Sequence, residues 1–187
     1  MRVIAGKFRS RLLQGPGTLR LRPTGDRLRE TLFNILGPAV EESLFVDLYS
    51  GTGAIGIEAV SRGARETIFV ESHAATARLI RANLAALKID SGVEVMEAEA
   101  LRGLDRLAAR HLIADFIFLD PPYDREQELA EVLDYLDASH VVAPRGLVIV
   151  EHRDKTRLPE RLQRLERTRL IEQGDAHLSL YRLAAAA

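Results

Sequence analysis

Five short apolar runs, unbroken or nearly so, constrain this chain more than any other feature: Leu44 to Leu48, Thr67 to Val70, Val93 to Met96, Phe116 to Leu119 and Leu147 to Val150. A strand with one wet face alternates apolar and polar residues, whereas a strand covered on both faces does not. These runs therefore predict buried strands. Between them lie Ile55 to Arg62, Ala74 to Leu87, Leu101 to His111 and Glu126 to Leu136, with apolar residues at three- and four-residue spacing, as in Leu101, Leu104, Leu107 and Ala108. That spacing puts one apolar stripe on each helix. Strands alternating with such helices give an α/β chain with a mainly parallel sheet. Upstream, Asp26 stands where an N-cap belongs, before a helix over 27–36 that Gly37-Pro38 ends. Downstream, 167–172 and 177–183 flank Gln173-Gly174-Asp175, the pattern of a terminal antiparallel hairpin. At 187 residues the chain has room for one α/β domain and a small appendage.

The first run leads into Ser50-Gly51-Thr52-Gly53-Ala54-Ile55-Gly56. A glycine-rich turn between a strand and a helix lets the backbone approach a ligand lying over the helix N-terminus. Gly51, Gly53 and Gly56 also fit the dinucleotide fingerprint, with Glu71 20 residues after Gly51, where a ribose-binding acid belongs. On this motif alone a nicotinamide dinucleotide and S-adenosylmethionine are equivalent. Asp47 favours the second, because a carboxylate just before the glycines attracts an amino acid's ammonium and repels a pyrophosphate. The third strand adds Glu97 and Glu99 for an adenine amino group, and no residues remain for a separate dehydrogenase substrate domain. Ser50, Gly51, Thr52, Gly53, Glu71, Glu99 and Ala100 join Asp47 as candidate cofactor residues, together with Asp120 after the fourth run, and with Glu97 an alternative to Glu99.

The fourth run delivers Asp120-Pro121-Pro122-Tyr123 to the carboxyl edge of the sheet, where open α/β folds bind ligands. An exocyclic amine on a nucleobase is a poor nucleophile, its lone pair being delocalised into the ring. If the Asp120 carboxylate and the Pro121 carbonyl accept its two hydrogens, the nitrogen can pyramidalise toward a methyl donor. Pro122 stiffens the turn, and Tyr123 would stack on the base. The corner suits a flipped-out or single-stranded base. Taken alone, the same string also fits a loop in which prolines follow a strand.

Charge is unevenly spread. Residues 1–30 hold eight Lys or Arg against two acids, a net of +6, leaving −7 for the remainder. Arg2, Lys7, Arg9, Arg11, Arg20 and Arg22 are the candidate nucleic-acid contacts, on a segment where Val3, Ile4, Phe8, Leu12 and Leu13 intersperse the charges as a short strand pair would. Arg27 and Arg29 add to the same count. There are no cysteines, and the five histidines lack metal-ligand spacing, so no metal is expected. No apolar run reaches the roughly 18 residues of a membrane span, and the first residues break into charge before a signal-peptide core could form. A cytoplasmic protein is expected.

Around these motifs stand Arg2-Val3-Ile4-Ala5-Gly6-Lys7-Phe8-Arg9, Arg22-Pro23-Thr24, Asp26-Arg27, Arg29-Glu30, Leu32-Phe33-Asn34, Ser61-Arg62-Gly63-Ala64, Val70-Glu71 and Asn83. With them, nearly the whole chain resembles the RsmD-type small-subunit ribosomal RNA guanine-N2 methyltransferases. The resemblance implies a Rossmann-like class I S-adenosylmethionine-dependent methyltransferase fold. Its sheet would have seven mainly parallel strands and a terminal antiparallel hairpin, and residues 1–25 would form a small basic N-terminal β-hairpin extension on a catalytic domain of 26–187. The implied activity is methylation of N2 of a guanine in 16S ribosomal RNA, free or in an assembling 30S particle, by a monomer. Thr24 would lie near the cofactor's amino-acid end. Glu99 stands where aspartate or asparagine is commoner, and Gln173 where an aromatic is expected. The corner and the glycine turn occur in many amino-methyltransferases, so two rivals stay open: a DNA adenine-N6 or cytosine-N4 methyltransferase, and an inactive nucleic-acid-binding protein of the same fold.

Overall fold

In the computed structural model, residues 1–15, 17, 25–122 and 125–184 are described, and they fall into two compact units, Met1–Glu99 and Ala100–Ala187. The first unit contains α1 (Asp26–Leu36), a 3-10 turn (Gly37–Val40), β1 (Leu44–Leu48), α2 (Ala54–Ser61), β2 (Glu66–Glu71), α3 (Ala74–Ala86) and β3 (Val93–Glu97). Its strands run parallel in the order β3-β2-β1, with Phe45 beside Thr67 and Glu71 beside Glu97.

Every residue of β1 is buried, as an unbroken apolar run demands. β3 departs from expectation. Only Met96 is buried, because β3 is the edge strand and lacks a neighbour on one side. Helix α2 is buried almost all round, and a core cluster joins its Ala54 and Ile57 to Phe69 of β2, Ile80 and Leu84 of α3, and Val3 and Leu13 of the amino-terminal segment. That segment doubles back through one antiparallel bridge, Arg2 to Leu12, with Val3 N–H donating to the Arg11 carbonyl at 3.0 Å. The five apolar residues of the expected strand pair separate: Val3 and Leu13 enter the core, Phe8 packs against it, Ile4 is half-buried, and Leu12 is 79% exposed.

Asp26 does not cap α1. Gly25 holds the N-cap position without a side-chain bond, and Asp26, already helical, accepts a hydrogen bond from Arg29 Nη2 at 2.9 Å.

The second unit contains α4 (Ala100–Ala109), β4 (Ala114–Leu119), α5 (Glu126–Ala138), β5 (Val142–Arg153), β6 (Leu165–Gln173) and β7 (Ala176–Leu183). β4 and β5 are parallel, whereas β7 runs antiparallel to both β5 and β6. β6 and β7 form the expected terminal hairpin, with Gly174 at φ 62° in its turn. β5 is far longer than the apolar run 147–150, since β4 pairs with it from Val142 and β7 as far as Arg153. No helix among the described residues is long and apolar enough to cross a membrane.

Candidate active site

In the first unit the chain leaves β1 through Tyr49, Gly51 and Gly53, all at positive φ (62°, 53° and 76°). Gly53 is the N-cap of α2 and adopts the left-handed conformation that a side chain disfavours. Hydrogen bonds from both flanking strands fix the turn. The Ser50 hydroxyl donates to the carbonyls of Asp47 (2.6 Å) and Val70 (3.2 Å), and Gly53 N–H donates to the Ser50 carbonyl at 2.7 Å. Glu71, 7% exposed, accepts Gly51 N–H at 3.0 Å and His73 N–H at 2.8 Å. The strand-end acid is thus joined directly to the glycine turn.

Asp47 is 1% exposed, and its Oδ2 accepts Gly56 N–H at 2.9 Å, tying the end of β1 to the first turn of α2. Burial pushes its carboxyl up to about 7; the Gly56 amide opposes the rise and the nearby Glu71 charge adds to it. A buried acid of this kind suits a cationic ligand group, which would restore its ordinary acidity. Asp47, Ser50, Gly51, Thr52, Gly53 and Glu71 therefore form one neighbourhood. Of the two acids at the end of β3, Glu97, its last residue, lies 3.9 Å from Arg81 Nη1 in an ion pair, and Glu99, two residues on, is exposed. Ala100 is 3% exposed and opens α4. Thr24 lies outside the described residues.

Four residues that carry no assigned role in the motifs hold the amino-terminal segment in place, and Asn83 among them reaches this turn. Glu58 of α2, wholly buried, accepts Ile4 N–H (2.8 Å), Ala5 N–H (3.0 Å) and Arg62 Nε (2.9 Å). The Ser61 hydroxyl accepts Phe8 N–H at 2.9 Å and donates to the Ala5 carbonyl. Gly6, at φ 79°, lies so close to the Ser61 carbonyl that no Cβ would fit. Asn83 exchanges hydrogen bonds with both backbone groups of Gln14 (2.7 and 3.2 Å) and donates to the Thr52 carbonyl in the glycine turn at 3.2 Å. Arg29 is wholly buried, donating to the Arg2 carbonyl at 2.6 Å and to Asp26, with Nε 4.0 Å from Glu58; burial lowers its pKa. Arg29 is therefore no part of a basic surface, contrary to its place in the charge count. Arg2, Lys7, Arg9 and Arg11 are exposed on the doubled-back segment, whereas Arg20 and Arg22 lie outside the described residues.

In the second unit, β4 ends at Leu119, followed by half-buried Asp120, buried Pro121 and exposed Pro122. The Pro122 carbonyl accepts Arg125 N–H at 2.9 Å, closing the turn before α5. Tyr123 lies outside the described residues. Pro121 and Pro122 line a cleft together with Leu129, Glu151 and His152. Among the described residues there is no group of three or more His, Asp or Glu side chains that could hold a metal.

The profile of the family described as "Conserved hypothetical protein 95" matches residues 1–182. The chain is 36% identical over 159 residues to "Ribosomal RNA small subunit methyltransferase D" of Escherichia coli, an alignment covering 85% of this chain and 78% of that protein. Its fold matches the solved structure "Putative methyltransferase yhhF from Escherichia coli" with a TM-score of 0.87 and 31% identity, over 100% of this chain and 99% of that one. A more distant structure, an RNA methyltransferase from Salinibacter ruber in complex with S-adenosyl-L-homocysteine, shares the fold with a TM-score of 0.66 at 16% identity, over 89% and 96% of the two chains. The α/β methyltransferase fold, with its antiparallel terminal hairpin, is thus the one the apolar runs and the glycine turn lead one to expect. The chain belongs to the Conserved hypothetical protein 95 family, the RsmD-type methyltransferases.

Proposed function

We propose that this protein transfers the methyl group of S-adenosylmethionine to the exocyclic N2 of a guanine in small-subunit ribosomal RNA. The observation that carries the reading is Asp120 followed by two prolines at the carboxyl end of a buried parallel strand, in a chain whose first unit builds an acid-flanked glycine turn. The name of the E. coli relative supports the RNA substrate, and the solved neighbour with S-adenosylhomocysteine supports the cofactor.

In this reading Glu71 serves the ribose hydroxyls, the Asp47 neighbourhood serves the amino-acid ammonium, and Thr24, Glu99 and Ala100 complete the cofactor set. S-adenosylmethionine supplies an electrophilic methyl group on a sulfonium, a good leaving group. The chain therefore needs no strong base, only placement and electrostatics. Asp120 accepts one N2–H and the Pro121 carbonyl the other, freeing the nitrogen lone pair from the ring. Once the nitrogen carries the methyl group it sheds one of these protons, toward Asp120 or water. Tyr123 stacks on the base. Residues 1–25 act as a basic RNA-gripping extension through Arg2, Lys7, Arg9, Arg11, Arg20 and Arg22, and 26–187 as the catalytic domain of a cytoplasmic monomer.

The test is transfer of labelled methyl to small subunits and naked ribosomal RNA from cells lacking this protein, with the base identified by mass spectrometry. N2-methylguanine at one position is expected. Absence of transfer to any nucleic acid at saturating cofactor, or a methylated adenine or cytosine in DNA, would sink the proposal.

A further inference from the structure

A second basic stretch lies in the second unit, offset in the whole-chain charge by the acids around it. Residues 153–169 hold seven Lys or Arg against three acids, a net of +4, which leaves −11 on residues 31–152 and 170–187 together. Three of the seven are engaged within the protein. Arg164 donates to the carbonyls of Asp137 (3.3 Å) and Ser139 (2.7 Å), Arg167 pairs with Glu160 at 3.0 Å, and Arg153 also has a partner. Lys155, Arg157, Arg161 and Arg169 are exposed and belong to no ion pair among the described residues.

Two of these four stand beside the corner. β4 and β5 run parallel with Leu119 beside Val150, so both strands leave the sheet at the same edge. Past the end of β5 the chain turns, with Thr156 N–H donating to the Arg153 carbonyl at 3.1 Å and Asp154 N–H to the Asp175 carbonyl at 3.2 Å. The Thr156 hydroxyl donates to Glu126 Oε1 at 3.0 Å, at the start of the helix that follows the corner, and Thr156 lines one shallow cleft with Pro121 and Pro122. Lys155 and Arg157 flank this anchored threonine. An exposed cation alone says little, since most Lys and Arg are exposed. A pair pinned next to the prolines, on a protein that is otherwise acidic, is a local attraction for a polyanion.

We propose that Lys155 and Arg157 bind the RNA phosphates flanking the nucleotide presented to Asp120 and Pro121. This rests on the methyl-transfer reading above and extends its RNA contacts beyond the amino-terminal segment. Presenting an exocyclic amine means turning its base out of the stack, an uphill step. Phosphate contacts beside the corner hold the strand in register there without reading its sequence, so the choice of base stays with the corner. Arg161 and Arg169 supply a comparison of equal charge: Arg169 lies on β6, two strands from β5, and Arg161 bridges to β6 at Glu166.

The full-length protein is titrated with a single-stranded RNA fragment spanning the position mapped in the transfer assay, between about 0.1 and 1 M salt. For Lys155→Gln with Arg157→Gln, the slope of log affinity against log salt should fall by about 1.4, which is about 25-fold weaker binding at about 0.1 M and little change at about 1 M. Lys155→Arg with Arg157→Lys should keep the native slope, and Arg161→Gln with Arg169→Gln should change it by less than half as much. On small subunits from cells lacking the protein, the neutralised pair should raise KM for the RNA with kcat and cofactor affinity nearly unchanged. The chain has no cysteine, so a photocrosslinker on Lys155→Cys reports from one place. Its crosslinks should fall within about three nucleotides of the methylated guanine, roughly 10 Å of stacked strand. An unchanged slope, an equal loss in the Arg161 and Arg169 variant, or crosslinks only elsewhere would overturn the assignment. So would a loss confined to assembled subunits with naked RNA bound normally, since the two cations would then meet an acidic protein. A native protein that transfers no methyl to any RNA would remove the methyl-transfer reading, and the proposal with it.

Discussion

Replacing Asp47 with asparagine should stabilise the ligand-free protein above neutral pH while weakening its hold on the cofactor. The fold raises the Asp47 carboxyl from 3.8 to about 7, chiefly through burial. A folded-state value above the unfolded one means that the folded chain prefers the protonated form. The associated stability is complete below about pH 4 and is lost as pH rises through about 7. At about 1.36 kcal/mol per pKa unit, ionised Asp47 costs the native state about 4 kcal/mol at pH 8. Asparagine removes the charge and keeps an oxygen for Gly56 N–H, but buries an amide NH₂ whose lack of a partner costs about 1–3 kcal/mol. The net gain is then about 1–3 kcal/mol at pH 8, or roughly 2–12 °C in Tm for a chain of this size. It should fade toward pH 4, where the native carboxyl is protonated. Urea denaturation at pH 4.5, 6 and 8 measures the slope directly. Calorimetric titration with S-adenosylmethionine should show affinity lower by about tenfold or more in the variant. An Asp47→Asn protein no more stable than the native one at pH 8, with the same pH slope, would refute the burial argument. Unchanged cofactor affinity would refute the ammonium assignment.

Three other perturbations address different parts of the molecule. Glu58→Gln leaves Arg29 buried with Asp26 as its one oppositely charged partner among the described residues and weakens the grip on Ile4 and Ala5, so a loss of about 3–5 kcal/mol in urea unfolding is expected; a melting point within a degree or two of native would contradict it. Asp120→Ala should lower kcat by roughly a hundredfold or more with RNA affinity nearly intact in binding assays, and undiminished turnover would remove Asp120 from the chemistry. Neutralising Arg9 and Arg11 together should weaken RNA binding and lower its salt slope by about one per lost phosphate contact, whereas an unchanged slope would place the RNA elsewhere.

What was legible in the sequence is what local chemistry decides. The glycine turn and its preceding acid are fixed by backbone geometry over a few residues, the acid 20 residues on by one parallel crossover between neighbouring strands, and the structure joins them by hydrogen bonds. What depends on distant partners was not legible. β3 carries nearly the same apolar signature as its neighbours, yet its burial is decided by its edge position. β5 outruns its apolar segment because β7, far along the chain, pairs with its end. Arg29 sits in a basic stretch and counts as surface charge until Glu58, on another helix, is seen beside it. Glu151, an acid closing an apolar run, resembles any exposed strand end, and only the pairing of β5 with β7 and its burial mark it out. Asn83 and Ser61 are single polar residues on helices, and nothing in their own neighbourhoods shows that they hold the amino-terminal segment.

The Asn83 side chain bonds the backbone at Gln14, in the amino-terminal segment, and the backbone at Thr52, in the glycine turn. If RNA grips the first and the cofactor rests on the second, as proposed, the two ligands stop being thermodynamically independent. Whichever arrives first bears part of the ordering cost for both. Linkage then requires that RNA improve cofactor affinity by the same factor as cofactor improves RNA affinity. Paired titrations should return equal factors in the native protein, and both factors should fall toward one in Asn83→Ala.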